Sequence, residues 1–163
     1  GALPFPTPKF VEGYTLPALL EGLGASARRR EDFSITALCM VVTGPDEKSY
    51  KEAFERTRYQ IAFYGSTPNY AFQFDDLGFE GTTGRIRDKM KAGELDTLGE
   101  LITDEMFEAY GLAASWDDMA DRLIGRYRGT AARVVMYLGE RQMRTDSHHL
   151  AKWGEIADAV RAA

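Results

Sequence analysis

Residues 33–42 constrain the fold more than any other stretch of the chain. Phe33-Ser34-Ile35-Thr36-Ala37-Leu38-Cys39-Met40-Val41-Val42 carries no charge and is rich in β-branched and apolar side chains. Apolar residues at both odd and even positions predict a strand buried on both faces, not a half-solvated one. Thr43-Gly44-Pro45-Asp46-Glu47 follows and reads as a helix start. Gly or Thr would cap it, Pro45 would sit in the first turn, where no N–H is needed, and two acids would face the positive end of the dipole. Tyr50, Ala53, Phe54, Ile61 and Ala62 then share one helical stripe. A doubly buried strand running into an amphipathic helix is the repeating unit of parallel α/β proteins. Such a strand needs partners, and the sequence offers one other, Arg133-Val134-Val135-Met136-Tyr137-Leu138.

The remainder reads as helix. Thr7 caps a first helix with Pro8 at its first position, and the stripe Phe10, Val11, Tyr14, Leu19 and Leu20 runs to Gly22 or Gly24, kinked at Pro17. Leu98, Leu101, Ile102, Met106, Phe107 and Tyr110 form one stripe that Gly111 ends, and Ser115 with Asp118 forms a capping box for the next helix. A last helix opens at Thr145 or Asp146 and turns Leu150, Trp153, Ile156, Ala157 and Val160 inward. The expectation is one α/β domain over residues 1–163. It has parallel strands at about 33–43 and 132–138, about seven helices, and a helical insertion at about 66–111. Two strands leave bare hydrogen-bonding edges, so a homo-oligomer through strand edges or helices is expected.

Charge and composition exclude several functions. The net charge is -5, and the only basic run, Arg28-Arg29-Arg30, is followed at once by Glu31-Asp32, which argues against nucleic acid as a partner. No apolar run approaches the ~18 residues of a membrane span, and the one cysteine, Cys39, cannot form a disulfide within the chain. A cytoplasmic setting without a membrane partner is expected. His148 and His149 point about 100° apart on a helix, which argues against a shared metal. Asp75-Asp76, Asp104-Glu105 and Asp117-Asp118 are sequence neighbours, not carboxylates facing one site, so no catalytic residue is assigned. Gly78, Gly81 and Gly84 with Thr82, Thr83 and Arg85 have the composition of a phosphate cradle, but lack a preceding strand and a Gly-Lys-Ser/Thr. They read as a connector.

A family resemblance rests on an ordered series of segments. Arg58-Tyr59-Gln60-Ile61-Ala62-Phe63-Tyr64-Gly65-Ser66-Thr67-Pro68-Asn69-Tyr70 resembles part of the bacterial-luciferase-like oxidoreductases. So do Leu101-Ile102-Thr103-Asp104-Glu105-Met106, the helix ending Arg126-Tyr127-Arg128-Gly129, and the strand from Arg133. The opening Pro4-Phe5-Pro6-Thr7-Pro8-Lys9-Phe10 and Leu16-Pro17-Ala18-Leu19 are similar to the branch that uses the deazaflavin coenzyme F-420. Where that family has a Gly-Thr-Pro type turn, this chain has Gly111-Leu112-Ala113-Ala114-Ser115-Trp116.

The resemblance implies the C-terminal fragment of a TIM (β/α)8 barrel, holding its seventh and eighth strands. It implies a flavin- or deazaflavin-dependent oxidoreductase or monooxygenase acting on a small-molecule substrate. FMN or coenzyme F-420 would bind in the intact protein, with none bound and no turnover by this chain alone. Cofactor-binding candidates lie at the carboxyl ends of the strands: Thr43 and Gly44 after the first, Gly139 and Arg141 after the second. The alternative is a non-catalytic helical interaction module that self-associates.

Overall fold

The computed structural model describes residues 7–26, 28–139 and 147–163. Its centre is β1, Thr36–Val42, the middle strand of a parallel three-stranded sheet in the order β2-β1-β3, with β2 Gly111–Ala113 and β3 Arg133–Tyr137. The two expected strands adjoin and run parallel, with Thr36 opposite Arg133 and Met40 opposite Tyr137. The third strand corrects the expectation of two. Gly111 does stop the helix before it, but the chain leaves in an extended conformation and lays Gly111–Ala113 along Met40–Val42. Ala114 N–H then donates to Val42 C=O at 3.0 Å. Three residues are too few to display a strand period in a sequence.

Eight α-helices surround this sheet among the described residues. They are α1 Pro8–Phe10, α2 Leu16–Gly24, α3 Glu47–Gly65, α4 Ala71–Asp75, α5 Thr82–Lys91, α6 Asp104–Tyr110, α7 Met119–Tyr127 and α8 Ser147–Ala162. None is long and apolar enough to cross a membrane.

The two faces of β1 feed two cores, as alternation along a strand requires. Ala37, Cys39 and Val41 pack with Leu112, Met119, Leu123, Tyr127, Trp153 and Ile156, so α7 and α8 cover that face. Met40 and Val42 turn the other way, into a cluster with Ala53, Ile61, Phe74, Ile86 and Phe107 from α3 to α6. This second cover reaches only the carboxyl half of the sheet. Further back on the same face Thr36 and Leu38 are half-buried, and Val135, opposite Leu38, is 47% exposed. Burial on both faces therefore holds for the carboxyl half of β1, and on one face alone for the rest.

Local chemistry sets the helix boundaries. Thr7 caps α1, its hydroxyl accepting from Phe10 N–H at 3.1 Å. The missing N–H of Pro17 is absorbed by a wide turn at Val11–Thr15, where Leu16 N–H reaches back to Val11 C=O. The cap of α3 is Asp46, not Thr43 or Gly44: its carboxylate accepts from Ser49 N–H at 2.7 Å, and Pro45 lies outside the helix. A carboxylate offers that N–H a charged acceptor, which glycine cannot. The stripe expected through residues 98–110 is broken at Ile102. There a 3-10 segment, Leu95–Leu101, ends, and Thr103 recaps α6 by accepting from Met106 N–H at 3.2 Å.

Two further expectations are corrected. Helix α5 begins at Thr82, inside the stretch read as a connector, with Gly81 capping it at φ +73°. Leu150, expected inward, is 55% exposed. One residue earlier, His149 stacks on Trp116 with centroids 5.7 Å apart, which turns Leu150 about 100° away from the core.

Candidate functional site

Parallel α/β sheets place their working groups at the carboxyl ends of the strands. Here that end carries Thr43 and Gly44 after β1, Ala114 after β2, and Leu138 and Gly139 after β3. The α3–α6 block packs beside it, on the face that carries Met40 and Val42. Tyr64, near the end of α3, meets Tyr137, the last residue of β3, hydroxyl to hydroxyl at 3.1 Å. This contact ties the end of α3 to the end of β3. The hydrogen bond to Tyr137, with burial adding to it, raises the Tyr64 phenol to about 12. The next residue, Leu138, has φ +71°, a left-handed conformation that a bulky L-residue adopts only under constraint from its surroundings.

The expected cofactor contacts look different in this geometry. Thr43 is only 1% exposed. A Cβ on Gly44 would lie 2.7 Å from the backbone nitrogen of Tyr50, so the first turn of α3 already occupies that space. A Cβ on Gly139 would lie 3.0 Å from Cζ2 of Trp153, on the face of the indole. Both glycines thus admit the chain's own atoms at close range, and neither leaves an open cradle for a planar cofactor. The structure brings Thr43, Gly44 and Gly139 to one end of the sheet, whereas Arg141 lies outside the described residues. The described residues at these positions therefore do not fit a self-sufficient flavin site.

Other candidates are committed to structure. In the glycine-rich stretch, Thr82 Oγ1 donates to Phe79 C=O at 2.7 Å, Thr83 Oγ1 to Gly65 C=O at 2.8 Å, and Arg85 to Glu80 C=O at 3.0 Å. Thr83 ties α5 to the end of α3, and the Thr82 and Arg85 side chains bond within the stretch itself. The Tyr14 hydroxyl donates to the Asp76 carboxylate, which raises the Tyr14 phenol, and Lys9 reaches the Asp76 carbonyl. Asp118 belongs to the Ser115 turn, with the two side chains 2.7 Å apart. The Cys39 thiol is fully buried, and burial pushes its pKa up, which makes it a packing residue rather than a nucleophile. Among the described residues no three His, Cys, Asp or Glu side chains converge as a metal site.

Sequence reasoning missed the Tyr64–Tyr137 contact. An aromatic hydroxyl closing an otherwise apolar strand was the available signal, because a half-buried phenol needs a partner.

A parallel sheet covered by α7 and α8 on one face, and by α3–α6 on the carboxyl half of the other, is the arrangement of a segment of a (β/α)8 barrel. The chain belongs to the luciferase-like monooxygenase family, whose model matches residues 5–133. The uncharacterized proteins Rv1360 of Mycobacterium tuberculosis and Mb1395 of Mycobacterium bovis are each 36% identical to it over 132 residues. The match covers 81% of this chain and 39% of each relative, so the chain spans about two-fifths of their length.

Proposed function

We propose that this chain supplies part of the wall, and the helical block beside it, of a luciferase-like oxidoreductase or monooxygenase that uses FMN or coenzyme F-420 on a small-molecule substrate. One observation carries the reading beyond family membership. The sheet face that α3–α6 covers at its carboxyl half is bare at its amino half, around Leu38 and the 47%-exposed Val135. That is how a barrel wall looks when the strands across the lumen are absent. When bound, the cofactor supplies the redox chemistry, and the protein's share is binding and orientation. Thr43, Gly44, Gly139 and Arg141 are proposed to line the cofactor's end of the lumen, with the first three contributing position and packing more than direct grip.

By itself the chain is expected neither to turn over nor to hold either cofactor. Titration with FMN and with coenzyme F-420, followed by their fluorescence, should show no saturable binding through tens of micromolar. Micromolar affinity for either would overturn the view that the missing wall holds the cofactor. A second reading, a helical interaction module without catalysis, is favoured by the same bare face, which offers a second copy a place to dock.

A further inference from the structure

Helix α4 carries a side chain whose hydrogen-bonding needs its neighbours do not meet. Gln73 is 5% exposed, and its Oε1 is buried with no donor among the described residues. A buried amide oxygen is costly to leave in that state. Gln73 lines a cavity of about 10 Å³ together with Thr7, Lys9, Phe10, Tyr14 and Asp76. That volume is about the least that admits one water molecule.

Thr7, at the cap of α1, is the complement of Gln73. It is 2% exposed, and its hydroxyl oxygen already accepts from Phe10 N–H at 3.1 Å. The hydroxyl proton has no acceptor among the described residues. A lone pair without a donor and a proton without an acceptor therefore line one small space, and they do not bond each other directly. The other polar groups there are committed. The Tyr14 hydroxyl donates to the Asp76 carboxylate, and Lys9 donates to the Asp76 carbonyl. Lys9 and Asp76 offset each other in charge, so the lining favours an ion of neither sign.

We propose that this cavity binds a single water molecule that joins α1 to α4. The water donates to Gln73 Oε1 and accepts from the Thr7 hydroxyl. Lys9, with N–H groups to spare, is placed to supply the third hydrogen bond usual for a buried water. A larger ligand would not fit, and an apolar one would leave both buried groups unpaired. The site does not depend on the oxidoreductase reading.

The test is water–protein NOE and ROE spectroscopy on the full chain, with the variant Gln73→Met. In the wild type the Phe10 amide and the Gln73 side-chain amide should show cross-peaks to water of the sign that marks slow exchange. In Gln73→Met, whose spectrum also reports whether it is folded, the Phe10 peak should vanish. A peak relayed only through exchange of the Thr7 hydroxyl would survive, because that hydroxyl remains. The urea midpoint of the variant should fall at unchanged slope, since the bridge is lost. Were Oε1 simply an orphan, methionine would raise it. Absence of the slow-water peaks in the wild type, survival of the Phe10 peak in the folded variant, or a midpoint that fails to fall would each overturn the proposal.

Discussion

Gly65 ends α3 where the ring of Phe74 needs its space. A Cβ there would lie 2.6 Å from Cε2 and 2.9 Å from Cζ of Phe74. That ring cannot yield, because it is fully buried and held by Tyr110, whose centroid is 4.9 Å away. Gly65→Ala should therefore destabilise the fold by about 1–3 kcal/mol, the usual cost of overpacking. Gly84, inside α5 with no atom within 4 Å of its missing Cβ, makes the contrast: Gly84→Ala should stabilise by up to about 1 kcal/mol. Urea midpoints at unchanged slope would measure both, and equal effects would remove the packing argument. The sequence has Gly65 where a helix stops, and offers Gly44 and Gly139 as cofactor-binding candidates at the strand ends. It cannot name the atom that approaches. In all three cases that atom belongs to a side chain or turn distant enough in sequence, or specific enough in geometry, that only the folded chain identifies it.

At the scale of elements, caps and strand pairing decide the outcome. Asp46 anchors α3, and its hydrogen bond from Ser49 N–H holds its carboxyl below the ordinary aspartate range. A carboxyl depressed in the folded state stabilises fully above its unfolded value, about 4, and loses that contribution as pH falls through the folded value. Asp46→Asn keeps a capping oxygen but removes the charge. The wild type should therefore melt higher than Asp46→Asn near neutrality, and the gap should close as pH drops below about 4. A gap that is constant across the acid range would mean that the charge contributes nothing. Apolar runs and caps made most elements legible: β1, β3 and α1 lie where periodicity and turn chemistry place them, whereas α7 begins at Met119, after the Ser115 turn and not at a Ser115 cap. The short strand β2 was invisible, because tertiary pairing, not local propensity, makes three residues extended.

For the whole molecule, the open edge of β3 and the bare face around Val135 are the exposed liabilities. Self-association through them is the expected outcome. Light scattering should report a mass above one chain at micromolar concentration, and Val135→Lys, which puts a charge on that face, should shift the population toward monomer. A monomer across the micromolar range would remove the argument from open edges. The parallel pairing of the two long strands was legible because uncharged runs linked by helices have few other arrangements. The placement of α3–α6 was not, since nothing in a helical stripe says which face of a sheet it will cover. The central position of β1 also bears on how the chain comes off the ribosome. Its ladder with β3 joins Thr36 to Arg133, about a hundred residues later, so its contact order is high. Until β3 has been made, that side of β1 remains an open apolar edge, a condition that favours misassociation.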